Sequence, residues 1–262
     1  MDIQSIYSFK VNCHDCNFSL MVNDMPLLIL NRSTSINTEI PGNTFLYNGI
    51  NEFTCKIIPP RDQDVFSESA FVKISVIEGS ASNANASREI NVFKTPSFKP
   101  EEGSEPYRQY SLEGKFSASI FYLSALPGGI NFNISEYLQN ELFQAYTELW
   151  NAFRVKDIDT VMRKLTLKIK ETAGLKGSSL IEMEKEMRGD YISYMNNSSL
   201  QLWEFTIDKV FLKIYGRNKL ACLEVRNGNQ PLCYINRADH LAIYIPVYFY
   251  RNSQTQLLEV IR

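Results

Sequence analysis

The sequence predicts two domains. Residues 1–130 read as an all-β antiparallel sandwich and residues 131–262 as an α+β domain, with three helices packed on a curved antiparallel sheet. Three observations lead there. In the first half, short apolar runs alternate with a period of two, as strands with one buried face do. From Ile134 the period lengthens to that of an amphipathic helix. Beyond about residue 200, strand-like runs return to the end of the chain.

The first strands are YSFKVNC, FSLMVND, LLILN, FTCKIIP, AFVKISVIE and FSASIFYL, each bounded by Asn, Asp, Gly, Pro or Ser. Tyr7, Phe9 and Val11 share one face. Asn23-Asp24 suits a hairpin turn, because both side chains bond their own backbone and tolerate unusual φ. Asn48-Gly49 supplies the positive φ needed before the strand at 53–58. Two connectors, GSASNANASRE at 79–89 and TPSFKPEEGSEP at 95–106, have the small, polar or proline-rich composition of exposed loops.

In the second half, Ser135 precedes a helix whose stripe is Tyr137, Leu138, Leu142, Ala145, Leu149 and Phe153. Asp157 caps a second helix that Gly174 ends, and a third runs from Ser178 to Tyr194. The strands that follow are LQLWEFTIDKVFLKIYG, KLACLEVRNG, PLCYINR, HLAIYIPVYFYR and TQLLEVIR, with Asn227-Gly228 as another hairpin-type turn. Helices followed by a run of strands are similar in outline to the cone-shaped nuclear-transport-factor-2 class.

Bulk chemistry narrows the function. At 44% hydrophobic and 21% charged, the chain has the composition of a globular protein. A net charge of −2 argues against a nucleic-acid partner, which calls for a basic face. The longest apolar run, LAIYIPVYFY, is half the roughly 20 residues a spanning helix needs and contains Pro246, so no membrane partner is expected. The start MDIQSIYSFK lacks an apolar signal segment, and five cysteines, an odd number, suit reduced thiols. Both point to the cytoplasm.

Candidate chemistry is sparse. Cys13-His14-Asp15-Cys16 offers two of the four ligands a zinc site requires, with no second pair, so it reads as a turn with a buried thiol. Asp239-His240 is the one Asp-His pair that could act as a base with its orienting acid, yet neighbours in an extended segment point to opposite faces. Asp62 and Asp64 leave a calcium shell incomplete. Nucleophile elbows, phosphate loops and dinucleotide fingerprints are absent. The chain therefore reads as a non-enzyme, with no catalytic, cofactor-binding or metal-ligating residue assigned. Arg154, Lys156, Arg163, Lys164, Lys168 and Lys170 form a basic stretch, either a solvated helix face or a surface for an acidic protein.

The N-terminal phrases carry a resemblance. Val22, Asn23, Asp24 and Pro26, then Asn48, Gly49 and Asn51, then Pro59 resemble the opening domain of bacterial proteins encoded beside type VI secretion and Rhs-type toxins. The resemblance implies an immunity protein: a cytoplasmic chain that binds a cognate secreted toxin and neutralises it by steric occlusion. Anchors would then be sought on the 79–106 loops and the exposed side of the C-terminal sheet. A carbohydrate-binding module and a small-molecule enzyme with a pocket near Asp239-His240 are the alternatives.

Overall fold

In the computed structural model, the described residues are 5–31, 35–80, 83–100, 104–120, 122, 124–226, 228–239 and 241–262, with backbone alone at 83–86. The chain divides into two compact units, Met1–Tyr122 and Leu123–Arg262.

The N-terminal unit holds eight strands among its described residues: β1 Ser5–His14, β2 Asn17–Val22, β3 Met25–Leu30, β4 Ile36–Pro41, β5 Gly49–Ile58, β6 Phe71–Ser80, β7 Asn83–Lys94 and β8 Tyr110–Ala118. They form two antiparallel sheets, ordered β4-β1-β6-β7 and β3-β2-β5-β8. Period-two patterning drives the packing. Tyr7, Phe9, Val11 and Cys13 of β1 are all buried, as are Asn51, Phe53, Cys55 and Ile57 of β5. Phe9 meets Phe116 edge-on at 5.6 Å, and Phe53 meets Phe93 at 4.6 Å, so rings from the two sheets interlock. Gly114 permits the second contact, since a Cβ there would collide with both Phe53 and Phe93.

The two turn phrases meet in space. Asn23 and Asp24 both adopt positive φ, 50° and 60°, which matches the twist of the β2–β3 hairpin. Gly49 has φ 96° and opens β5. The Asn23 side chain donates to the Phe45 carbonyl at 2.8 Å and to Asn51 Oδ1 at 2.7 Å. Asn51 Oδ1 also accepts from Tyr47 N at 2.8 Å, and its Nδ2 donates to the Tyr47 and Gly49 carbonyls at 2.9 Å each. A buried amide with every valence met ties the loop before β5 to the β2–β3 turn.

Several expectations need correcting here. Residues 83–89, expected in an exposed loop, are part of β7, which pairs with β6 through two register shifts; backbone bonding carries this strand where its sequence shows no apolar alternation. The strand β4 was not expected, because INTEIP lacks a continuous apolar run. The last strand of the unit is 110–118, earlier than the FSASIFYL run suggests. Within 95–106, Phe98 is buried and stacks on Phe66 at 4.1 Å, so that segment is anchored rather than merely solvated.

The C-terminal unit begins with helices α1 Glu136–Arg154, α2 Ile158–Lys164, α3 Thr166–Lys176 and α4 Leu180–Asn196. Strands β9 Gln201–Leu202, β10 Phe211–Tyr215, β11 Leu220–Glu224, β12 Cys233–Asn236, β13 Leu241–Tyr244, β14 Phe249–Arg251 and β15 Leu258–Val260 follow. The caps match the sequence: Ser135 accepts from Leu138 N, Asp157 accepts from Thr160 N, and Ser179 with Glu182 closes a capping box.

Four helices, not three, are present among the described residues, because the second predicted helix breaks at Leu165. No glycine or proline marks that break, while the Leu165 side chain is fully buried there. Gly177, with φ 68°, ends α3 in place of Gly174. Tyr137 is 76% exposed, whereas Leu138, Leu142, Tyr146, Leu149 and Phe153 are buried and carry the stripe. Two sheets replace the single curved one, with orders β10-β11-β14-β15 and β13-β12-β9. The run at 240–251 divides around Pro246, which has no N–H to give to a ladder. Helix and sheet side chains such as Leu142, Tyr146, Phe153, Leu223 and Val247 fill one apolar core.

Candidate interaction surface

The helices α2 and α3 cross the surface of the C-terminal unit with two hollows beside them. A groove of about 700 Å³ is lined by Ala145, Glu148 and Leu149 of α1, by Arg163, Lys164, Thr166, Leu167 and Lys170, and by residues 252 and 257–260. A second hollow, about 310 Å³, is lined by Asp159, Met162, Arg163, Thr166, Ile169, Leu180, Glu184 and Arg188. Arg163 and Thr166 line both. Both residues stand at the α2–α3 junction, on either side of the break at Leu165.

Apolar side chains stand at the outer flanks. Leu257 on the groove side is 63% exposed, and Leu180 and Ile181 at the start of α4 are 51% and 80% exposed. Exposed aliphatic groups beside an arginine have the composition of an interface core, where Arg is enriched and water-excluding neighbours surround it.

Charge on this surface is uneven. Lys164 pairs with Glu148 at 2.6 Å, and Arg188 pairs with Asp159 at 2.8 Å. Arg163 makes no ion pair within 4 Å among the described residues; its guanidinium donates a long 3.5 Å bond to Thr160 Oγ1. Its charge acts at longer range on the Asp157 carboxyl, which is held below its usual range chiefly by hydrogen bonds from Thr160. Lys170 is exposed on the groove's rim. The rest of the basic stretch is engaged elsewhere. Arg154 lies 5.2 Å from the Trp150 ring, Lys156 bonds Asn196, and Lys168 donates to the Pro246 carbonyl. Burial pulls the Lys168 ammonium down to about 8.

The remaining candidates are dispersed. Asp62 and Asp64 are exposed in a turn, and among the described residues no three His, Cys, Asp or Glu side chains are grouped to hold a metal ion. Asp239 accepts from Asn236 Nδ2 at 2.6 Å, a local turn bond; His240 and Asn227 lie outside the described residues. Cys13 and Cys16 are both fully buried with their sulfurs 3.3 Å apart. Exposed Tyr107 of the N-terminal unit packs edge-on against half-buried Tyr110, with ring centroids 6.4 Å apart. No helix among the described residues is long and apolar enough to cross a membrane.

Sequence reasoning named Arg163 as one base among six. It missed Leu180 and Leu257, which line the same hollows. Isolated aliphatic residues near helix starts and turns carry no sequence signal of exposure; only the fold brings them to those hollows.

A buried polar cluster lies elsewhere in the unit. Tyr215 donates to Glu224 Oε1 at 2.7 Å, and Tyr146 donates to the Val247 carbonyl at 2.7 Å. Burial lifts the Glu224 carboxyl above its usual range and pushes the neighbouring Cys222 thiol well up. Both shifts have the same cause, removal of the charged form from water, and the cluster is part of the packing.

Comparison with protein-family models, with curated proteins and with solved structures finds no match to this chain.

Proposed function

We propose that this protein is a binding protein of the immunity type, which neutralises a cognate secreted toxin by steric occlusion, and that it acts in the cytoplasm of the cell that makes it. The observation supporting the reading most strongly is Arg163, which lines two hollows, makes no ion pair within 4 Å among the described residues, and shares one hollow with exposed Leu257 and the other with exposed Leu180. The resemblance of the Asn23 and Asn48 phrases supplies the biological setting.

The partner segment that fits carries a carboxylate for Arg163 and Lys170, and aliphatic groups for the two hollows. A bidentate carboxylate contact would supply orientation, and burial of the aliphatic flanks would supply most of the affinity. An interface of about 800 Å² per partner is enough for a stable complex. A nuclear-transport-factor-2-like outline for the C-terminal unit belongs to the same proposal, with its interior filled by core side chains and its outside used for binding.

The test is co-expression with the toxin encoded beside this chain. Survival of the host and a complex that persists through gel filtration are expected. Arg163→Glu is expected to weaken binding by about 100-fold or more, since it places like charges together. Cell death equal to that without the chain, and no complex, would remove the proposal.

A further inference from the structure

The four-residue run CHDC is left unused by the interaction surface, yet its geometry is specific. Cys13 is the last but one residue of β1, and Cys16 directly precedes β2, so the two sulfurs sit where the chain leaves one sheet for the other. Asp15 makes the link possible by adopting φ 52°, a left-handed conformation, while its carboxylate accepts from the Ser67 hydroxyl. His14 points outward and bonds Ser35. The two thiols are thereby folded onto each other: Sγ to Sγ is 3.3 Å, and Cys13 Sγ lies 3.4 Å from the Cys16 carbonyl oxygen.

We infer that Cys13 and Cys16 form a redox-active dithiol that closes to a disulfide on reaction with hydrogen peroxide, a small, uncharged oxidant. A disulfide bond measures about 2.05 Å, so closure asks the sulfurs to approach by little more than 1 Å. Their complete burial selects the oxidant by size, admitting a peroxide on a small opening of the turn and refusing bulky disulfides and protein thiols.

The two sulfurs have different roles. The contact between the two sulfurs lowers the Cys13 thiol from its usual range and pushes Cys16 up. Cys13 is therefore the sulfur that gives up its proton more readily and attacks. It takes one peroxide oxygen, the O–O bond breaks, and Cys13 becomes a sulfenic acid as the first water leaves. The Cys16 sulfur then attacks that sulfur, the S–O bond breaks, and a second water departs. Two thiols lose two electrons and two protons, and the peroxide is reduced to two waters. Cys55 is buried in the same unit, but burial pushes its thiol up and keeps it protonated.

The experiment treats the full chain, native and reduced, with hydrogen peroxide, then denatures it and alkylates it with N-ethylmaleimide. Five adducts are expected before treatment and three after it, with a Cys13–Cys16 linked peptide that dithiothreitol reopens. In Cys16→Ser the reaction is expected to stop at a Cys13 sulfenic acid that dimedone traps. Cys55→Ser leaves the pair intact and is expected to behave like the wild type, which keeps the test decisive if Cys16→Ser fails to fold. Five adducts persisting at a dose that fully oxidises free glutathione would overturn the inference. So would a link to any other cysteine, or loss of the link in a folded Cys55→Ser protein.

Discussion

The two units bury polar groups in opposite ways. Among the described residues of the N-terminal unit the buried polar side chains are neutral: Asn17, Asn23, Asn43, Asn51, Ser75 and Thr95. In the C-terminal unit Glu171, Glu224 and Arg262 are buried alongside Gln230 and Asn236. An amide can meet all its valences inside a turn without bringing a charge out of water, whereas a buried carboxyl carries a desolvation cost that depends on pH. The first unit therefore depends on neutral hydrogen bonds, complete around Asn51 though not at Asn17 Oδ1, and the second also on the protonation of Glu224.

The largest expected effect comes from Asn51. Asn51→Ala removes an acceptor for Asn23 and Tyr47 and leaves buried groups unmet, so unfolding in urea is expected to show a loss of about 3 kcal/mol or more. That loss is expected to be the same at pH 5 and pH 8. A strongly pH-dependent loss would break the contrast between the units. Gly114→Ala tests the apolar part of the same unit. Its methyl would press on Phe53 and Phe93, at a cost of about 1–3 kcal/mol by the same measurement.

Glu224 tests the other side. Its carboxyl titrates above the unfolded value of about 4.3, raised by burial and opposed by the Tyr215 hydroxyl and Lys213. Between the two values the folded protein holds a proton that the unfolded chain has released. Stability thus falls as pH rises through the folded pKa, and below about pH 4 the charging cost is gone. Glu224→Gln keeps an oxygen for Tyr215 and removes the charge. Its melting temperature is expected to exceed the wild type's at pH 8 by a margin that shrinks to nothing near pH 4.

Lys168 gives the smallest effect. The unfolded chain keeps this proton to about 10.4, while the folded one loses it near 8, so stability rises modestly with pH across that window. An NMR titration of the Lys168 side chain is expected to show its midpoint near 8, well separated from exposed lysines such as Lys170.

Local rules made much of this legible. Asn23-Asp24 and Gly49 supplied their turns because positive φ is a property of the residue itself. Ser135 and Asp157 marked helix starts because a cap bonds only three residues away. Where the determinant was a distant partner, local reading failed. The segment at 83–89 pairs as a strand because β6 offers it a ladder, and the helix break at Leu165 coincides with a deeply buried side chain. The interaction surface is the clearest case, since Arg163, Leu180 and Leu257 are separated in sequence and share no pattern.

By itself the sequence determined the alternation of strands, the change to helical period after Ile134, and the residues able to turn or cap the chain. These depend on torsions and bonds spanning a few positions. Tertiary structure alone decided which sheet each strand joined and that Arg163 stands between two hollows. Such outcomes depend on contacts between residues far apart along the chain, whose energies no short stretch contains.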